Sequence, residues 1–319
     1  MCCLFGLIDP KNVMPARFKN DLLHLMAKQA EDRGKDATGI AYLKEDELVI
    51  YKKPVAGRRM HFKVPEGTTA VMGHTRLTTQ GDAKFNYNNH PFRGKSKDGE
   101  FAMAHNGMVW GSMFSNMPDL PPTHIQTDSY LIVQLLELEK HITLTSLKNV
   151  SEQLHGSFSY TILDKDNSLY FIKGDNPLCI YYSEKYGYYL YASTEEILRK
   201  AIQKSRLRKE PFKRLILSDG EILKISRDGS KQYGQFLMNY SYSYSSFSLI
   251  DDIPITYDTC PEELCTYAQS IGVPKWQVKR LWRLGFTYDE LAELLYQPDM
   301  FQAVWSDAEN YDWLDSAFV

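Results

Sequence analysis

No apolar run in this 319-residue chain approaches the length of about 20 residues that a membrane helix needs, so no bilayer span is expected. Cysteine is scarce: five residues cannot build a disulfide framework in a chain of this size. A reducing cytoplasm is therefore the expected compartment. The apolar opening Cys2–Ile8 also lacks the length and basic lead of a signal peptide. An excess of one charge is missing too. The net charge of -3 leaves no electrostatic footprint for nucleic acid. Gly94-Lys95-Ser96 ends like a phosphate loop, but Asn89 stands where its first glycine belongs, so that loop is excluded. Cys260 and Cys265 have no second pair of ligands, so no metal is expected, and no cofactor either.

What is present is strand-rich. Cys3–Ile8, Thr38–Leu43, Glu47–Lys53, Thr69–His74 and Phe101–His105 read as strands from β-branched and aromatic content or alternation. So do Ser157–Leu163, Ser168–Ile172, Leu178–Ser183, Tyr188–Ala192, Leu215–Ser218 and Glu221–Ile225, with Asp219-Gly220 as a hairpin turn between the last two. Phe18, Leu22, Leu25 and Met26 recur at helical spacing between Pro15 and Gly34. Thr127–Lys140 is apolar almost all round, which predicts a buried helix. Shorter helices are expected near Thr145–Leu154 and Thr194–Gln203. This pattern suggests two stacked sheets covered by helices.

Composition changes near residue 238, which bounds a first domain at 1–237. Residues 238–258 contain a Tyr/Ser run and read as a linker. Residues 259–319 read as a three-helix module: Pro261 and Pro274 open the first two helices, Gly272 and Gly285 end them, and Thr287 with Glu290 caps the third. Its basic, aromatic stretch Lys275–Arg283 suits packing or protein docking better than DNA contact, and an acidic tail follows from Ser306.

Chemistry enters at Cys2. Removal of Met1 would leave one residue with both a thiol and a free α-amine. A free thiol has a pKa of about 8.5 and an α-amine one of about 7.7–8.0, so the amine can take the thiol proton without a histidine. That is an economical nucleophile–base pair.

Four further segments accompany it. They are Arg33-Gly34-Lys35-Asp36-Ala37-Thr38-Gly39; Gly73-His74-Thr75-Arg76-Leu77-Thr78-Thr79-Gln80-Gly81 followed by Asn88-Asn89-His90-Pro91-Phe92; Ala104-His105-Asn106-Gly107; and Thr127-Asp128-Ser129. In content, order and spacing these resemble the class II glutamine amidotransferases, from Cys2 to about residue 236. The Asn88–Phe92 run is most similar to stand-alone bacterial members. The resemblance implies an α+β fold, the four-layer α/β/β/α sandwich of the N-terminal nucleophile hydrolases. It also implies hydrolysis of the glutamine side-chain amide, with Cys2 as nucleophile and Asn106 and Gly107 as oxyanion donors. Arg76 would hold the α-carboxylate of glutamine, Asp128 its α-ammonium, and Thr79 would touch the substrate. Arg33 and Asp36 are expected to order the nucleophile's surroundings as a buried ion pair. His74, like His90 and His105, is expected to be a structural hydrogen-bonder.

The chain departs from the family pattern at Cys3, Leu77 and Gln80, where glycine, an aromatic residue and histidine are usual. The usual fused acceptor domains are absent, so the ammonia would pass to a synthase on another chain or leave as the product of a glutaminase. Two alternatives stand beside this reading: hydrolysis of another γ-glutamyl or small amide, and a catalytically silent glutamine-binding or scaffold protein.

Overall fold

Every residue of β1 (Cys3–Ile8) is buried, on both faces of the strand. Cys3, Phe5 and Leu7 face one apolar cluster, while Leu4 and Ile8 face another. Successive strand side chains point to opposite sides of a sheet, so a strand buried on both sides sits between two layers. The computed structural model describes residues 2–111, 120–238, 260–283, 286, 288–298, 300–302 and 304–305. The chain divides into two compact units, residues 1–243 and 244–319.

In the first unit, β1 lies at the centre of a seven-stranded antiparallel sheet. Its other strands are β2 (Ala37–Lys44), β3 (Glu47–Lys53), β4 (Ala70–Arg76), β9 (Cys179–Tyr182), β10 (Tyr189–Ala192) and β11 (Lys213–Leu215), in the order β11-β9-β10-β1-β4-β2-β3. A six-stranded antiparallel sheet holds β5 (Phe92–Lys95), β6 (Glu100–Gly111), β7 (Leu154–Leu163), β8 (Leu169–Lys173), β12 (Glu221–Ile225) and β13 (Lys231–Gln235), in the order β13-β12-β8-β7-β6-β5.

The helices cover the outer faces. Leu22, Leu23 and Met26 of α1 (Ala16–Ala30) and Ile197 and Leu198 of α4 (Glu195–Gln203) pack on Phe5 and Leu7. Ile132, Val133 and Leu136 of α2 (Tyr130–Glu139) and Leu147 and Val150 of α3 (Leu144–Ser151) pack on Phe101, Met103 and Tyr160 of the second sheet. Leu4, Met72, Ala102, Ala104 and Phe171 fill the space between the sheets. The layers therefore run helix, sheet, sheet, helix, as expected.

The structure corrects several local expectations. Asp219-Gly220 does form a turn, with Gly220 at φ +85°, but β11 and β12 on either side of it belong to different sheets. The hairpin partner of β12 is β13, reached through Asp228-Gly229 with Gly229 at φ +86°. β13 escapes a periodicity search because its exposed polar residues carry no apolar alternation. β5 escapes it because Gly94 sits against Phe101, where a Cβ would lie 2.2 Å from the ring. Asn106-Gly107 lies in the middle of the long strand β6.

In the second unit, α5 (Glu262–Ser270), α6 (Lys275–Arg283) and α7 (Tyr288–Tyr296) bury Leu264, Val278, Leu281, Leu291 and Leu295 with Phe301 and Trp305. Pro261 precedes α5, and Gly272 takes φ +84° after it. Trp276 packs edge-on to Trp305 at 5.0 Å yet remains 56 % exposed. Gly285, Thr287, the Tyr/Ser run and the acidic tail lie outside the described residues.

Candidate active site

The register of β1 against β4 sets Cys3 opposite Thr75, which brings Cys2 to the end of β4 where Arg76 stands. The Cys2 thiol is half-buried and donates to the Leu77 carbonyl at 3.5 Å. Burial pushes its pKa up, the Arg76 charge opposes that rise, and the Asp128 charge adds to it. The resting thiol is thus protonated and needs a base to become a nucleophile. Cys3 points the other way, into the α1 core, and burial raises its thiol to about 11. The second cysteine is a packing residue.

Arg33, beyond the end of α1, donates from Nε to the Cys2 carbonyl at 2.9 Å. Asp36 accepts from the Thr78 amide at 2.7 Å, tying down the start of the 77–81 loop. Both residues are half-buried, and these bonds reach two different segments. Gly34 between them lies against the Arg76–Leu77 backbone, where a Cβ would come within 2.5 Å of the Arg76 carbonyl carbon.

Arg76 is buried, and its guanidinium is engaged by the Asn89 side-chain carbonyl at 2.8 Å, by the Gly81 carbonyl at 2.8 Å and by the Gln80 carbonyl. These acceptors are neutral, and a carboxylate is a stronger one. The half-buried Asp128, just before α2, accepts from the Val109 amide at 2.9 Å and from Ser129 Oγ at 3.4 Å. Thr79 lies exposed on the loop.

Asn106 is buried in β6 and turned toward the space between the sheets. Its Nδ2 contacts Ser193 Oγ at 3.2 Å, and Ser193 Oγ accepts from the Leu4 amide at 2.9 Å. Asn106 Oδ1 is buried without a partner. The two ends of an amide are exchanged by a half-turn about its last bond. After that half-turn the Ser193 hydroxyl donates to Oδ1 and the NH₂ group is released from Ser193. Gly107 beside it takes φ +133°, and a Cβ there would meet the Ser157 carbonyl at 1.9 Å, so only glycine fits.

Behind these residues lie three buried histidines. His74 donates from Nε2 to the His105 carbonyl at 2.9 Å, and His105 Nδ1 contacts Ser129 Oγ at 2.8 Å. His90 packs against His74 with the rings tilted by 35° and their centroids 4.1 Å apart. Burial lowers His74 to about 3 and His105 to about 4, and holds His90 well below the usual histidine value. All three are neutral at pH 7, which suits positioning rather than proton transfer.

Three contributors escaped the sequence reading. Ser193 joins Asn106 to β1. Asn89 holds Arg76. Lys52 of β3 donates to the Asn89 carbonyl at 2.5 Å and the Pro91 carbonyl at 3.0 Å, with Nζ 5.2 Å from the Phe92 ring centre. Burial, with Arg76 and Arg93 nearby, lowers Lys52 to about 8. Asn89 sits inside a motif already noted and Ser193 between an expected strand and an expected helix, but Lys52 carries no sequence signal beyond being a lysine in an edge strand. Among the described residues, no cluster of His, Cys, Asp or Glu could hold a metal ion, and no described helix is long and apolar enough to cross a membrane.

No family model matches the chain. The glutamine–fructose-6-phosphate aminotransferase (isomerizing) of Listeria innocua is 33 % identical over 202 residues, 59 % of this chain and 31 % of the relative. Its counterpart in Bacillus cereus is 29 % identical over 189 residues, 56 % of this chain and 30 % of the relative. The chain thus spans about a third of the length of these relatives. Among solved structures, the glutamine phosphoribosylpyrophosphate amidotransferase of B. subtilis superposes with a TM-score of 0.52 at 20 % identity, covering 75 % of this chain and 50 % of that one. An allosteric regulatory enzyme of purine biosynthesis gives 0.53 at 21 % identity, with the same coverage. Both share the fold. Over 59 % of its length this chain is thus similar to class II glutamine amidotransferase domains. In this chain Cys2 meets the charges of Arg76 and Asp128, Asn106 is tethered to β1 through Ser193, and Thr79 stays on the exposed loop.

Proposed function

We propose that this chain hydrolyses the side-chain amide of glutamine to glutamate and ammonia through a thioester on Cys2, once Met1 has been removed. The ammonia passes to a synthase on another chain or is released. The reading rests on one observation: the charges of a buried Arg76 and a half-buried Asp128 both act on the Cys2 thiol. A free amino acid is a zwitterion, and this pairing of Arg76 with Asp128 complements it. The α-carboxylate of glutamine displaces the Gln80 and Gly81 carbonyls from Arg76, exchanging neutral acceptors for a charged one. The α-ammonium goes to Asp128.

The Cys2 α-amine takes the thiol proton, and sulfur attacks the amide carbon. Asn106 Nδ2 and the Gly107 amide hold the tetrahedral oxyanion. In such a site one lost donor typically costs about 2.7–4 kcal/mol in the transition state. The amine returns the proton to the departing nitrogen, ammonia leaves and a γ-glutamyl thioester remains. Water, deprotonated by the same amine, then releases glutamate.

The test is intact mass after treatment with a glutamine analogue carrying a diazoketone in place of the amide. The expected product lacks Met1 and carries one adduct, mapped to Cys2. Full retention of Met1 in active material, or labelling only elsewhere, overturns the proposal.

Lys52 offers a second check. Lys52→Met removes the donor that holds the Asn89–Pro91 backbone, and with it the alignment of Asn89 on Arg76. The glutamine KM is expected to rise about tenfold, with kcat within about twofold. Steady-state ammonia release measures both constants, and a fall in kcat at unchanged KM would contradict this role.

A further inference from the structure

A groove of about 540 Å³ runs between α1 and the turn after α4. Its floor is Phe18, Leu22 and Leu25, which share one face of α1 at helical spacing. Its wall carries Lys204, Arg206 and Arg208. None of these residues belongs to the candidate active site.

The charge here is concentrated and unspent. Residues 199–214 contain eight Lys and Arg against one acid, in a chain of net charge -3. Lys200, Lys213 and Arg214 are paired, with Asp32 and Glu196, with Glu184 and with Glu195. Among the described residues, Lys204, Arg206 and Arg208 form no ion pair; Lys204 reaches only the Gln29 amide oxygen, at 3.5 Å. The one acid of the segment, Glu210, is turned to Ser183 Oγ at 2.7 Å. The turn is also braced: Ser205 Oγ donates to the Ile202 carbonyl at 2.8 Å and accepts from the Leu207 amide at 3.0 Å. The cations therefore stand on a fixed support.

Asp21 brings the only carboxylate to the lining. Three cations against one carboxylate leave a charge of +2, which complements a phosphate monoester of about -1.5 to -2. Two guanidinium forks suit phosphate oxygens better than a point charge would. The apolar floor calls for an apolar body, and the volume falls in the range of roughly 300–1,000 Å³ usual for small-ligand sites. A second groove of about 380 Å³, past His24 and His61, shares Asp21 and Leu25 and gives that body room along α1. The wall cations fall within five residues of one turn, whereas an extended polyanion needs a basic stripe.

We propose that this groove binds a small phosphomonoester with an apolar or aromatic body. The proposal is independent of the reaction assigned to Cys2. The probe is 1-naphthyl phosphate, titrated calorimetrically into the full chain, with inorganic phosphate and 1-naphthol as controls. Saturable one-to-one binding is expected, with each control about tenfold weaker or more. Arg206→Glu combined with Arg208→Glu should weaken it about tenfold or more. Both side chains are exposed, so the variant should keep its near-UV spectrum, and the milder pair Arg206→Gln and Arg208→Gln should fall between. No saturation by about 10 mM, unchanged affinity in the charge-reversed chain, or naphthol binding as tightly as its phosphate overturns the proposal. So does displacement of the probe by single-stranded RNA at lower concentration, which would assign the groove to a polynucleotide.

Discussion

Cys2→Ala is expected to lower ammonia release from glutamine by about 10⁴-fold or more, while glutamine binding persists. The two effects separate because, in the proposed reaction, Arg76 and Asp128 make the zwitterion clamp and the thiol contributes only to the chemical step. Without sulfur no thioester can form, and water in its place lacks both nucleophilicity and position. The side chain is half-buried at a strand end, so its loss leaves no large cavity and the fold should survive. Calorimetry with glutamine and a coupled ammonia assay on the same sample measure both quantities. Ammonia release equal to that of the parent chain would sink the assignment of Cys2. A parent chain that binds glutamine and releases no ammonia would instead identify a silent binding protein.

The second large effect is on stability. His74, His90 and His105 are buried and neutral, with folded-state pKa values depressed below the ordinary histidine value of about 6.5. Above pH 6.5 they are neutral in both folded and unfolded chains and add no pH dependence. Below it the unfolded chain takes up protons that the folded one refuses, so stability falls as pH drops toward about 4 for His105 and about 3 for His74. Each such proton is worth about 1.4 kcal/mol per pH unit. Three together predict a loss of about 3–4 kcal/mol between pH 6 and pH 5, a large share of the stability of an ordinary domain. Most carboxylates titrate below that window, so the histidines dominate it. Urea unfolding at half-unit steps from pH 7 to pH 5 measures the slope, and a flat profile would show that these rings are hydrated or paired.

Most of the sheet framework was legible because its strands alternate or are rich in β-branched and aromatic residues. β1, β3 and β12 appear at their expected bounds. Failures came where side chains carry no periodic signal: the polar edge strand β13, and β5 with its glycine beneath Phe101. The Asp219-Gly220 hairpin failed for another reason. A turn sequence specifies local backbone geometry, but not which sheet each flanking strand joins. Asp228-Gly229 has the same chemistry and does join two paired strands.

By itself, the sequence determined the chemistry available: a second-position thiol, a cation, a carboxylate, a side-chain amide and a glycine, all within short segments of fixed order. Residue types and local spacing carry that information. The tertiary structure alone decided how those groups are held. Lys52 reaches Arg76 through Asn89, Ser193 joins Asn106 to β1, and Arg33 grips the Cys2 carbonyl across 31 residues. Such contacts depend on strand order and register, and antiparallel pairing brings distant residues together with no trace in local sequence.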